Sequence, residues 1–276
     1  MNKAWLLLIP LLALFAGPAA AEVTACKEVK TVPFVIKGSG IWCLKKHLTY
    51  TGAAGQAIKI RKSNVVLDLN GFTLSGNAGP SSTANGVFAP NRSNITIRNG
   101  TIQGFERGIY LDDTSGNTYG HLVEYIKAIG NYFTGIQVEG EGLVVRKNQV
   151  HETGDGDNSF NAYGIYLNNP RGAHIHDNTV TKTSETTNAR GIVVIGGSEV
   201  IIRQNVVTDL RNATARFGVH VQSVNTASVY ANQILSVAST TGIRALTSTD
   251  VSCFNNVIDG FNNTHSTCDN FTGNLP

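Results

Sequence analysis

The sequence predicts an all-β solenoid, one short unit written many times, and three observations predict it. The first is a row of Gly-apolar-x-apolar segments at Gly86, Gly108 (GIYL), Gly135 (GIQV), Gly164 (GIYL), Gly191 (GIVV), Gly218 (GVHV) and Gly242 (GIRA), with spacings of 22, 27, 29, 27, 27 and 24 residues. The second is a row of apolar-x-apolar-x-x-Asn-x-apolar segments around Asn148, Asn178, Asn205, Asn232 and Asn256, with spacings of 30, 27, 27 and 24. Two independent markers keep the same beat. The third is composition: only 15% of residues are charged, while Gly (29), Asn and Thr are plentiful. No window repeats at 3.6 residues, and the mix suits short strands and tight turns.

A unit of this length with three short alternating strands cannot bury its own apolar face; stacked coils about 4.8 Å apart can. Stacking places Val145, Ile175, Ile202, Val229 and Cys253 above one another inside. The first coil is expected at AIKI (57–60) followed by NVVLDLNGFTL (64–74), which gives about eight coils.

Ahead of the repeat, Lys3, the apolar run from Trp5 to Phe15 and Ala19-Ala20-Ala21 read as a signal peptide over residues 1–21, with a mature start at Glu22. No second apolar run is long enough for a bilayer, so the expectation is a secreted or periplasmic protein with no membrane span. Residues 22–49 are read as an N-terminal cap, 50–260 as the solenoid and 261–276 as a C-terminal cap or tail. The formal charge of +3, or +2 once Lys3 is removed, is too mild to expect a nucleic-acid partner. Four cysteines allow three connectivities. In an oxidising compartment the local pairs Cys26–Cys43 and Cys253–Cys268 are expected, each tying down one end of the rod. No CxxC suggests redox chemistry.

The opening CLKKHLTYTGAAGQAIKIRKSNVVLDLNGFTLSG, with the two row markers, resembles the right-handed parallel β-helix of the pectate-lyase-like superfamily over roughly residues 50–260. Within it the chain is similar to bacterial right-handed β-helix repeat proteins, a group with no single shared activity. The resemblance implies a single-stranded right-handed parallel β-helix with a polysaccharide as partner. It also implies an asparagine column inside the turn between second and third strands: Asn148, Asn178, Asn205, Asn232 and Asn256, with Asn70 and Asn99 as earlier members and Lys127 replacing one. Stacked amides bond to each other and to the turn backbone, which explains the column without any function.

That register makes each Gly-apolar-x-apolar segment the first strand of a coil. The spacing from the column to the next glycine is longest at Asn148–Gly164 (16 residues), then 13 at both Asn178–Gly191 and Asn205–Gly218. Insertions 151–163, 181–190 and 208–217 are therefore expected to overhang the first sheet, and by resemblance to wall a cleft there. Alternation points Phe88, Tyr110, Gln137, Tyr166, Val193, His220 and Arg244 outward, and two residues on Pro90, Asp112, Glu139, Asn168, Ile195, Gln222 and Leu246. Tyr110/Asp112, Gln137/Glu139 and Tyr166/Asn168 lie on successive coils. Rings beside paired polar groups suit sugars, whose flat faces stack and whose hydroxyls want bidentate partners.

Asp112, Glu139, Tyr166 and His220 are the candidate catalytic residues, and Tyr110, Gln137, Asn168, Arg190, Arg216 and Arg244 the candidate substrate contacts. Neighbouring carboxylates raise one pKa, which makes a general acid, and a close pair suits a retaining glycosidase. A uronan lyase or epimerase would instead need cations to neutralise the sugar carboxylate and a His or Tyr base. Asp112, Glu139 and Asn168 also offer the oxygens a Ca²⁺ ion takes; no other cofactor or metal is expected. The DGDN of residues 155–158 resembles a calcium loop only through Asp155-x-Asp157-x-Ser159 and lacks its Gly and final Glu. His174 and His176 are read as exposed residues of the second sheet. The chain departs from the enzymes it resembles: it has no DPHD of alginate epimerases, no NTD, DD, GHG and RIK set of polygalacturonases, and no Asp cluster of calcium pectate lyases. Two readings stand, an enzyme of lyase, epimerase or hydrolase type and a non-catalytic carbohydrate-binding or structural surface protein.

Overall fold

The computed structural model describes residues 25–157, 161–266 and 268–275; the leader-like segment and the Glu22 start lie outside them. The fold is an all-β, right-handed parallel solenoid. Each coil has three strands, for example Gln56–Ile60, Val65–Asp68 and Thr73–Gly76, or Thr134–Glu141, Val144–Arg146 and Gln149–Gly154. Eight such coils lie between residues 56 and 260 of the described chain. Stacking them gives three parallel sheets, first, second and third by strand order within a coil. The ladder also runs on below AIKI: Phe34–Ile36 pairs with Ile58–Ile60, Gly40–Cys43 with Val65–Asp68, and Leu48–Tyr50 with Leu74–Gly76. At the other end Asn270–Thr272 pairs with Ser252–Phe254.

Val145 pairs with Ile175, Ile175 with Ile202, Ile202 with Val229 and Val229 with Cys253, in register. All five side chains are fully buried. Because strands repeat at one register, like residues stack on like, and the core is a column of Val, Ile and Leu. Both local disulfides form, Cys26–Cys43 and Cys253–Cys268.

The two sequence markers have steric causes. A Cβ on Gly164 would stand 2.3 Å from Val180 Cγ1 and 2.7 Å from the Gly191 carbonyl, so the first strand can enter over the third-sheet side chain only at a glycine. Asn178 Nδ2 donates to Asn205 Oδ1 (3.0 Å) and to the Val145 carbonyl (2.9 Å), and its own Oδ1 accepts from Asn148 Nδ2 (3.0 Å). The ladder satisfies a buried bend whose preceding residue is left-handed, as at Asp177 (φ 56) and Gln204 (φ 53).

The column differs from the sequence expectation at both ends. Asn70 and Asn99 sit one position early, at the left-handed residue (φ 49 and 56). Their side-chain amides donate to the Leu44 carbonyl and to the Asp68 carboxylate. Below Asn148 the column position belongs to Ile126, not Lys127, since Lys127 pairs with Gln149 and Ile126 N donates to Asn148 Oδ1. Above Asn256 the ladder gains Asn274, whose Oδ1 accepts from Asn256 Nδ2 at 2.8 Å.

The third strands and first strands absorb much of the extra length read as overhanging loops. Gln149–Gly154 and Thr179–Ser184 run side by side, as do Asn161 with Asn188 and Asn188 with Ala215. The described end of the DGDN segment is tied to an earlier turn: Asp157 Oδ2 accepts from Ser81 Oγ (2.6 Å) and Asp157 N donates to the Pro80 carbonyl. Ser159 of that motif lies outside the described residues.

Candidate functional site

The outer face of the first sheet carries the register that alternation predicts. Tyr110 pairs with Phe88 and Gln137, Gln137 with Tyr166, Tyr166 with Val193, Val193 with His220 and His220 with Arg244. Glu139 pairs with Asn168, one rung above the Asp112 strand. The side chains are not splayed into water. Asp112, Gln137 and Glu139 are each 6% exposed, so three polar groups lie buried on the outside of the solenoid.

They are held by one another. Tyr110 donates its hydroxyl to Asp112 Oδ1 (2.9 Å), and Gln137 Nε2 donates to Glu139 Oε1 (2.9 Å). Arg107 Nε donates to Gln137 Oε1 (3.1 Å), and the Asp113 backbone N–H to Glu139 Oε2 (3.1 Å). Burial raises the Glu139 pKa and the Asp112 charge adds to the rise, although the bonds to Asp113 N–H and Gln137 oppose it. Burial, then Glu139 and the bond to Asp112, push the Tyr110 hydroxyl well above the usual tyrosine range. Burial and Tyr163 raise Tyr166 to about 12. Both phenols therefore stay protonated at neutral pH, as donors and platforms and not as bases.

Glu139 and Asn168 open into a cavity of about 890 Å³ also lined by Asp113, Thr118, Glu141 and Arg171. Its overhang is the segment 113–120 after the first strand, opposite to the side expected from the insertions before it. Asp113 organises this segment: Ser115 Oγ (2.9 Å) and Asn117 N (3.0 Å) donate to its Oδ1, and Thr118 N (3.1 Å) to its Oδ2. Burial alone would raise the Asp113 pKa, but these bonds bring it below its ordinary value. His121 closes the segment. It is 1% exposed, accepts the Ile95 N–H at Nδ1, and burial pushes its pKa down to about 4.

The sequence carries a signal for this overhang. Gly164 to Ile175, Gly191 to Ile202 and Gly218 to Val229 are 11 residues apart, whereas Gly108 to Val123 is 15.

His220 is not brought to the carboxylates. It lies two rungs beyond Tyr166, across the fully buried Val193, beside Phe217 (ring centroids 5.1 Å). Arg190 spans Tyr163 and Phe217, with its guanidinium carbon 5.4 and 5.6 Å from their ring centres, and Arg244 lies 4.8 Å from Phe217. Arg216 is half-buried on the same rung as His220. Arg107, Phe133, Tyr163 and Phe217 extend the face beyond the residues read from sequence: Arg107 covers Tyr110 and Phe133, and Tyr163 touches Phe133 and Tyr166. Among the described residues no group of three or more His, Cys, Asp or Glu is arranged to hold a metal ion, and no helix is long and apolar enough to cross a membrane. Asp112 and both Glu139 oxygens already accept hydrogen bonds.

The chain matches the family model described as right handed beta helix region, over residues 34–207 and again over 134–274. Among solved structures it is similar to the A-module of the mannuronan C-5 epimerase AlgE6 of Azotobacter vinelandii, at 14% identity and a TM-score of 0.50, with 91% of each chain covered. It is similar to the Dettilon tailspike protein at 17% identity and a TM-score of 0.56, covering 86% of this chain and 54% of that one. It is also similar to the enzymatically active domain of tailspike protein 2 of bacteriophage CBA120, at 14% identity and a TM-score of 0.50, covering 86% and 41%. The chain thus spans about half the length of these tailspike chains. At such identities the likeness shows the fold. No curated protein matches the sequence.

Proposed function

We propose that this chain, which belongs to the right-handed β-helix family, acts on a polysaccharide that lies along the outer face of its first sheet, with Glu139 as the reacting carboxyl. The observation that carries this reading is the row Tyr110/Asp112, Gln137/Glu139 and Tyr166/Asn168, with Asp112, Gln137 and Glu139 buried and the others half-buried, which opens at Glu139 and Asn168 into the cavity under segment 113–120. A solvated strand face has no reason to bury three polar side chains and give each a hydrogen-bond partner. The likeness to a mannuronan C-5 epimerase module supports a polysaccharide as the ligand.

Side-chain chemistry favours acid catalysis of glycosidic cleavage over abstraction of a sugar C5 proton. Glu139 has a raised pKa and a second carboxylate on the adjacent rung, as a general acid requires. Tyr166, at about 12, is a poor base. Tyr110, Gln137 and Asn168 position the sugar, and Arg190, Arg216 and Arg244 serve its acidic groups if the polymer is a uronan. The two disulfides fit an oxidising compartment, so we assign the polymer to the cell exterior or periplasm.

A second reading, binding without turnover, is favoured by one observation: both Glu139 oxygens are already occupied by donors from Gln137 and Asp113. Incubation with alginate, pectate, hyaluronan and neutral glycans, with and without Ca²⁺, separates the two. New reducing ends that disappear in Glu139→Gln and Asp112→Asn support hydrolysis, and unsaturated products would replace it with lyase chemistry. Retention of a polymer without products supports binding alone. Turnover that survives loss of Asp112, Glu139, Tyr166 and His220 would exclude this site.

A further inference from the structure

Two to four rungs from Glu139, roughly 10–19 Å along the axis, the same face changes sign. Arg190 and Arg244 lie on either side of the His220 strand, and both reach the Phe217 ring. No acidic side chain among the described residues forms an ion pair with either guanidinium. Burial lowers the Arg190 pKa and the Arg244 charge lowers it further, so the pair is held together against its own repulsion. Arg190 Nε is buried with no hydrogen-bond partner.

His220 lies between them, 1% exposed, with neither ring nitrogen hydrogen-bonded. A buried imidazole with two orphaned nitrogens is costly, and two neighbouring cations make protonation costlier still. Burial and then Arg190 and Arg244 hold its pKa down at about 3. The neutral ring still has one N–H to offer. An anion between the guanidiniums would cancel their repulsion, pair Arg190 Nε and give the imidazole N–H an acceptor. One ligand answers all three deficits.

We propose that Arg190, Arg244 and His220 form a subsite for an anionic substituent, a carboxylate or sulfate, carried by the polymer bound at Glu139. This rests on the reading of the first sheet as a polysaccharide site and makes that polymer acidic. It also gives the polymer a direction, along the solenoid axis, with an uncharged portion over the acidic end (Asp112, Glu139, Asp113) and an acidic sugar over the arginines.

The test compares a polyuronate with its carboxyl-reduced counterpart, the same backbone without charge, by titration calorimetry against the full chain. The polyuronate should bind about tenfold more tightly or better, and that preference should vanish in Arg190→Gln and Arg244→Gln while Arg244→Lys keeps part of it. In parallel, the wild-type His220 ring signals are followed by NMR during titration with sodium glucuronate and with sodium sulfate, which needs no variant to fold. A shift with glucuronate alone assigns the substituent as a carboxylate, and a shift with sulfate alone assigns a sulfate ester. Equal binding of both polymers overturns the anion subsite and leaves the polysaccharide reading standing. A His220 shift with small anions, when neither polymer binds, keeps the subsite and overturns the polysaccharide reading. No shift and no binding overturns both.

Discussion

Gln137 Nε2 donates to Glu139 Oε1 at 2.9 Å, so the carboxyl that opens into the cavity is held from within its own strand. Two residues apart on one pleated face, the two side chains lie side by side, so the rung carries its own internal support. Tyr110 does the same for Asp112.

The first prediction concerns Glu139 and pH. Its folded pKa lies above the ordinary 4.5, chiefly through burial. Between those two values the folded chain binds more protons than the unfolded one, so this group lowers stability as pH rises through that window. Glu139→Gln removes the effect. Relative to wild type, the variant should be more stable at pH about 7 than at pH about 4, measured as the difference in Tm. A difference independent of pH would contradict the raised pKa.

His220 gives the opposite slope. Its pKa falls from 6.5 to about 3, mainly by burial and then through Arg190 and Arg244. Across that window the unfolded chain binds the extra proton, so stability is lost as pH falls below 6.5, at up to about 1.4 kcal/mol per pH unit. His220→Gln should show a shallower acid limb in denaturant titrations at several pH values. An unchanged limb would mean that the ring is solvated.

Asn205→Ala should cost about 2–4 kcal/mol. It strips the Ile175 carbonyl and Asn232 Oδ1 of a donor, and Asn178 N and Nδ2 of an acceptor, all in a buried bend. Urea unfolding measures the loss. A cost below about 0.5 kcal/mol would show that the ladder adds little.

Gly164→Ala should cost roughly 1–3 kcal/mol through overpacking, because Val180 Cγ1 and the Gly191 carbonyl are where its methyl must go. Gly164→Ala with Val180→Ala should recover part of it. Failure of the second change to help would place the strain in the backbone.

These contacts explain how far the sequence could be read. The glycine and asparagine beats were legible because each answers a local demand repeated in every coil, a missing Cβ at Gly164 or an amide at Asn205. The outward rungs from Tyr110 to Arg244 followed from alternation. Tyr163 and Phe217 escaped it because strand pairing skips the glycine that follows each, turning the preceding side chain onto the outer face. Lys127 and Ile126 were confused because an isoleucine breaks the amide column and leaves no marker. Asparagine-to-glycine length points to an overhang before the first strand, and the cavity lies after it. The Gly108 to Val123 interval holds the overhang, whereas the described residues of the long 149–163 interval are largely strand.

The central claim, that the first-sheet cleft over Glu139 and Asn168 receives a polysaccharide, is tested most directly by a hydrogen-exchange footprint with any polymer the chain retains. The account predicts slowed exchange in segment 113–118, at residues 139–141 and at 196–198, which wall the cavity. Protection confined to the second or third sheet, with those three segments unchanged, would contradict it.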